Sequence, residues 1–212
     1  MKPSTKAFLP LCFFLLIGIN HWSLAQQRAQ IDQKVEKFLE EKKHQWRDLN
    51  VPFEDGKVLH DLIVSNGYTS ALEVGTSTGH STIWIAWALS KTGGKLVTIE
   101  IDERRQKQAI ANLKEVGLSE YVDFRLGDAH QIVKELKGPI EFVFLDADKD
   151  WYSQYFKDLD GTIPKDGMFT AHNVLNNISG IREFMELIQA NPKYETKIDR
   201  TSSSGISISK KK

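Results

Sequence analysis

"SALEVGTSTGHSTIWIAWALSK", residues 70–91, falls into three pieces. Ser70 to Val74 is a short apolar run of strand length. Gly75 to Ser81 is a loop of glycines and hydroxyls, where the backbone turns sharply or passes close to something. Ser81 to Lys91 is rich in Trp, Ala and Ile and reads as a buried helix. A strand that breaks into a glycine turn and enters a helix at once is the first unit of an α/β fold.

Working outward, the same alternation repeats. "KLVTIEI" precedes the helix "DERRQKQAIANLKEVG", opened by Asp102 and closed by Gly117. "YVDFRL" precedes "DAHQIVKELKG", "IEFVFLD" precedes "WYSQYFKDL", and "GMFTAHN" precedes "ISGIREFMELIQA". Upstream lie two amphipathic helices. One runs from Gln30 to Trp46 with Ile31, Val35, Phe38 and Leu39 on one face. The other is "DGKVLHDLIVSNG", which stops at Asn66-Gly67. The end of the chain, "YETKID" and "ISISKK" around a Ser-Gly turn, reads as an antiparallel hairpin. The expectation is a Rossmann-like, doubly wound, mostly parallel seven-stranded sheet with helices on both faces and a C-terminal antiparallel hairpin. Ligands of such sheets bind at the carboxyl ends of the strands, so the chemistry belongs to residues just after each strand.

The N-terminus follows other rules. "MKPSTK", the apolar Ala7–Ile19 and the small-x-small Ser23-Leu24-Ala25 form the three-part layout of a secretory signal, cut after Ala25. The apolar run is short for a membrane span. The expected organisation is a signal at 1–25, a helical extension at 26–50 and one domain at 51–212, exported to the periplasm or beyond. The alternative is anchoring by an uncleaved segment. Cys12, the only cysteine, lies in this signal, so disulfides and thiol chemistry are excluded from the mature chain. Lys+Arg and Asp+Glu are both 28 in 212 residues, and loss of Lys2 and Lys6 leaves a net charge of −2. Nothing in that balance points to nucleic acid.

The loop itself fails two phosphate-binding patterns. The dinucleotide fingerprint needs glycine where Ser77 stands, and no lysine follows as in a phosphate loop. Glu73, two residues before Gly75, suits a cationic ligand such as a nucleoside with an amino-acid tail. Glu100 ends the second strand, placed to accept both hydroxyls of a ribose. Asp128 and Ala129 follow the third strand, where an adenine would sit; Asp128 equally caps the next helix. After the fourth strand, Asp146, Asp148, Lys149 and Asp150 crowd together, as a metal site or a solvated turn. Trp151 either walls a flat substrate or packs under its helix. Asn177-Ile178-Ser179 matches a glycosylation acceptor, though a helix start explains it equally.

Together "LEVGTSTGHS", "LVTIEID", "FRLGDA", "FLDADKDWY" and "AHNV" resemble class I S-adenosylmethionine-dependent O-methyltransferases, nearest the cation-dependent group that includes catechol and caffeoyl-coenzyme A O-methyltransferases. The resemblance runs from about Val51 to the C-terminus. It implies that Glu73, Gly75, Thr76 and Ser81 line the methionine and ribose end of S-adenosylmethionine. It implies that Glu100 holds the ribose and that Asp128 and Ala129 lie at the adenine. It further implies that Asp146 binds a divalent cation and that Lys149 is the general base toward a small hydroxylated acceptor. A homodimer is implied as well, with the N-terminal helix over the acceptor pocket.

One departure stands out. The family has Asp-Asn after the fifth strand, and this chain has His172-Asn173. In one reading Asp146, His172 and Asn173 still bind a cation, shifted from Mg²⁺ toward Mn²⁺ or a softer transition metal. In a second the metal is gone and His172 is itself the base. In a third His172 is a surface residue. An exported binding protein with a relict cofactor site is the competing function. A polyamine synthase is disfavoured, because no extra amine-binding carboxylate cluster is evident.

Overall fold

The computed structural model describes residues 11–46 and 49–212, with side chains from Gln26 onward. The expected signal segment, 1–25, lies outside the residues whose side chains are described. No helix among the described residues is long and apolar enough to cross a membrane. The N-terminal helix α1 spans Leu11–Lys42, beginning well before the expected Gln30 and ending four residues short of Trp46.

The alternation then unfolds as read: α2 (Phe53–Asn66), β1 (Ser70–Val74), α3 (His80–Thr92), β2 (Lys95–Glu100), α4 (Glu103–Val116), β3 (Val122–Leu126), α5 (Ala129–Glu135), β4 (Phe142–Leu145), α6 (Tyr152–Leu159), β5 (Met168–His172), α7 (Ser179–Ala190), β6 (Tyr194–Asp199) and β7 (Ile206–Lys211). The seven strands lie in the order β3-β2-β1-β4-β5-β7-β6. β1 to β5 are parallel, and β7 enters antiparallel between β5 and β6. Successive connections lead outward in both directions from the β1/β4 boundary, which opens a crevice at the strands' carboxyl ends there.

Strand alternation sorts the core into two layers. Leu72, Val74, Val143 and Leu145 pack with Tyr152 of α6 and Phe184 of α7. Ala71, Phe142 and Phe144 pack with Leu59 of α2 and Ile85 of α3. Ile31, Val35, Phe38 and Leu39 are buried as the 3.6-residue period predicts, and pack with Ile83, Trp84 and Leu113. α1 thus lies against α3 and α4.

Candidate active site

The glycine loop is a close-packing device. Gly75 has φ +103°, and a Cβ there would fall 2.9 Å from that of Ala147. Only glycine lets the tip of β1 pass the tip of β4 so closely. Gly79, at φ +97°, lies likewise against Ala109 of α4. Between them Ser77 donates its backbone N–H to Glu100 Oε2 at 2.7 Å. The other oxygen, Oε1, accepts from the N–H groups of Ile101 and Asp102. The Glu100 carboxylate is therefore fixed at the tip of β2. Asp102 keeps the separate task of capping α4, accepting from Arg104 and Arg105.

Two adjoining cavities open above the sheet. The smaller, about 200 Å³, is lined by Val74, Glu100, Gly127, Asp128, Ala129 and Tyr155 among others. The larger, about 480 Å³, is lined by Ser77, Asp146, Lys149, His172 and Asn173 among others. Gly75, Glu100, Ile101, Ala147 and Asp148 line both. Asp128 does both tasks considered for it: it accepts from His130 N at the start of α5 and lines the smaller cavity. Trp151 lines neither cavity. It packs against the core and stacks under His130, with centroids 4.1 Å apart, while His130 Nε2 meets Asp148 Oδ2 at 2.7 Å.

The structure places Glu73, Thr76 and Ser81 differently from the expectation. Their side chains are buried beneath the loop and line neither cavity. Glu73 points to the α3 face of the sheet, where Oε1 accepts from Ser81 Oγ and Oε2 from Thr82 and Thr98 Oγ1, each at 2.6 Å. Thr76 Oγ1 pairs with Thr98 Oγ1. Burial pushes the Glu73 carboxyl up to about 7, against three hydroxyls that favour its charge. Glu73 ties α3 to β1 and β2, so it supports the cofactor loop from below.

At the other end, Asp146 Oδ1 accepts from Lys149 Nζ at 2.8 Å and from His172 Nδ1 at 3.1 Å. Lys149 Nζ also donates to the Asp146 carbonyl. The second ring nitrogen of His172, Nε2, meets Asp55 Oδ2 at 2.7 Å. Asp55, wholly buried in the first turn of α2, also accepts from Ser202 Oγ, and its Oδ1 has no partner among the described residues. Burial lowers the imidazole, but its hydrogen bonds to Asp146 and Asp55 and their charges outweigh it and raise His172 to about 9. The two carboxylates, one on each ring nitrogen, therefore favour the doubly protonated ring.

This arrangement does not fit a divalent cation. A metal needs lone pairs, and both nitrogens of His172 are already taken up by carboxylate contacts. Asp146 Oδ1 already serves two cationic donors. Among the described residues no group of three or more His, Asp, Glu or Cys is placed to hold a metal. With both ring nitrogens engaged, His172 has none turned to an acceptor, and at 3% exposure it is no surface residue. Sequence reasoning missed Asp55 and Ser202. An acid at a helix start is ordinarily accounted for by the helix dipole, and a serine in a turn by the turn.

A family model described as O-methyltransferase matches residues 25–196. A catechol O-methyltransferase of Niastella koreensis is 34% identical over 169 residues, 72% of this chain and 74% of that protein. Caffeoyl-CoA O-methyltransferase 1 of Eucalyptus globulus is 29% identical over 140 residues, 64% of this chain and 56% of the plant protein's length. The O-methyltransferase of Bacillus cereus solved with S-adenosylhomocysteine superposes with a TM-score of 0.71 at 28% identity, covering 87% of this chain and 91% of that one. An O-methyltransferase of Streptomyces achromogenes involved in tomaymycin synthesis, solved with S-adenosylmethionine, gives 0.72 at 26%, covering 84% and 89%.

Proposed function

The chain belongs to the O-methyltransferase family, and from that premise we propose that it moves a methyl group from S-adenosylmethionine to a hydroxyl of a small phenolic acceptor. It is an S-adenosylmethionine-dependent O-methyltransferase, as the resemblance implied. The carrying observation is the Glu100 carboxylate, fixed by three backbone N–H groups where the two cavities meet. That position supports a ribose between adenine over Ala129 and a methionine end toward Asp146. The relict-site reading has no support: Gly75, Glu100 and Lys149 all stand in the cleft.

S-adenosylmethionine, when bound, supplies a methyl group on a positively charged sulfur. The protein's part is to free the acceptor's electron pair and aim it. Lys149 Nζ, reaching the larger cavity, takes the hydroxyl proton in its uncharged form. With S-adenosylmethionine bound, the freed oxygen would bond to the methyl carbon as the C–S bond breaks, its electron pair left on sulfur. Charge disappears in this step, so partial removal of the reactants from water favours it. Holding both reactants over the β1/β4 crevice at attack distance supplies much of the rate.

Calorimetric titration of the full chain with S-adenosylhomocysteine tests the cofactor site. Binding is expected, and Glu100→Ala should weaken it about 10- to 100-fold, the worth of charge-assisted hydrogen bonds. Lys149→Ala should keep that binding and lower kcat by about 10²- to 10⁴-fold on a phenol panel. No binding by the unaltered chain would sink the reading. We also propose that residues 1–25 direct export; the mass of the exported protein should correspond to a chain starting at Gln26.

A further inference from the structure

We propose that the buried Asp55–His172–Asp146 bridge takes the place of a divalent cation, so that this O-methyltransferase works without metal and accepts a single hydroxyl. The inference rests on the methyltransferase reading and goes beyond it.

Four separate segments build the bridge: the first turn of α2 gives Asp55, β5 gives His172, the loop after β4 gives Asp146, and the turn before β7 gives Ser202. His172 and Asp55 are almost wholly buried, and their contact is 2.7 Å. The imidazole thus ties Asp146 to Asp55, with one contact on each ring nitrogen. It occupies the electrostatic role a cation bound to Asp146 would have, and it is covalently part of the chain. It leaves Asp146 Oδ1 shared between two donors, and that shared contact orients Lys149 toward the larger cavity. His172 touches no acceptor atom on this account. It is a positioning residue that acts through Asp146, and Lys149 is the catalytic residue.

The substrate class follows from coordination chemistry. A metal ion with two open positions selects acceptors with two neighbouring oxygens, because both bind it at once. An imidazole with a carboxylate against each ring nitrogen offers no such position. With Lys149 lining the larger cavity beside Asp146, what the site needs is an acceptor oxygen within reach of that amine. One hydroxyl meets that need, and a second neighbouring hydroxyl adds nothing required.

The test uses the full chain loaded with S-adenosylhomocysteine, titrated with Mn²⁺ and read by electron paramagnetic resonance. The unaltered protein should leave the spectrum of the free aqueous ion, while His172→Asp, which brings a third carboxylate to Asp55 and Asp146, should bind Mn²⁺. A bound Mn²⁺ signal in the unaltered protein overturns the proposal, and this arm stands even if His172→Asp does not fold. Turnover is the second arm. Methylation of a monophenol and of a catechol should both continue in excess chelator. A fall of about tenfold or more that Mn²⁺ restores, or turnover confined to the catechol, also overturns it. His172→Gln should bind cofactor normally and lose kcat with little change in KM; a merely structural histidine would leave kcat of the folded protein alone, whatever its melting temperature. Failure to methylate any acceptor, with no Mn²⁺ bound, would sink the enzymatic reading while leaving the bridge as described.

Discussion

His172 shows how one substitution changes the meaning of its neighbours. With aspartate in its place, Asp55 and Asp146 would be like charges facing a third; with histidine they become partners of a buried cation. That buried charge is costly unless paired, and here it is paired twice. The linkage has a definite sign. The folded pKa of about 9 lies above the ordinary 6.5, so the bridge's stabilisation is complete below about 6.5 and is lost as pH rises through 9. His172→Gln removes the positive charge and leaves two buried carboxylates, at a cost of about 3–5 kcal/mol near neutral pH. The melting-temperature gap between the unaltered protein and His172→Gln should therefore narrow as pH is raised past 9. A gap that stays constant across that window would mean the ring is neutral in the folded protein.

Elements declared themselves in the sequence where their own residues fix them. The bounds of β1, β6 and β7 match the apolar and turn pattern, and Gly67, Gly93 and Gly117 end their helices in the left-handed conformation that glycine permits. What could not be read is what depends on a distant partner. β7 slots between β5 and β6 because β5's free edge pairs with it, a choice made across the sheet. Gly56 is another case. Inside α2 it looks like a weak helix position, since alanine is worth about 1 kcal/mol more there. The structure supplies the reason: a Cβ on Gly56 would run into the indole of Trp84, where α2 packs on α3. Gly56→Ala should thus destabilise by about 1–3 kcal/mol through overpacking. Chemical denaturation decides the sign, and a gain in stability would show that α2 is free to shift away from α3.

At the scale of the whole molecule, the strand-tip rule found Glu100, Asp146, Lys149 and His172 because every parallel strand delivers its last residues to one crevice. It could not find Asp55 or Ser202, whose partners lie 117 and 147 residues away in the chain. Nor could it show that Glu73 faces away from the cleft, which depends on which sheet face α3 covers. The N-terminal helix poses the remaining question of how much of the chain the fold needs. From Ile31 onward α1 is part of the core: Asp32 Oδ1 accepts from Trp87 Nε1 and Lys91 Nζ at 2.5 Å, and Trp46 beyond it stacks on His80 at 4.5 Å. No side chain before Ile31 is buried among those described, and none from α1 lines either cavity over the crevice. Deleting residues 1–25 should leave melting temperature and S-adenosylhomocysteine affinity unchanged. Deleting through Trp46 uncovers Ile83, Trp84 and Trp87 and removes four buried apolar side chains worth about 1.5–3 kcal/mol each. That approaches the whole stability of an ordinary domain, about 5–15 kcal/mol, so this shorter chain should unfold or aggregate at room temperature. Calorimetric melting of the two truncations separates these outcomes. A marked loss on removing only residues 1–25 would make that segment part of the folded unit and would count against its being a leader that the mature protein sheds.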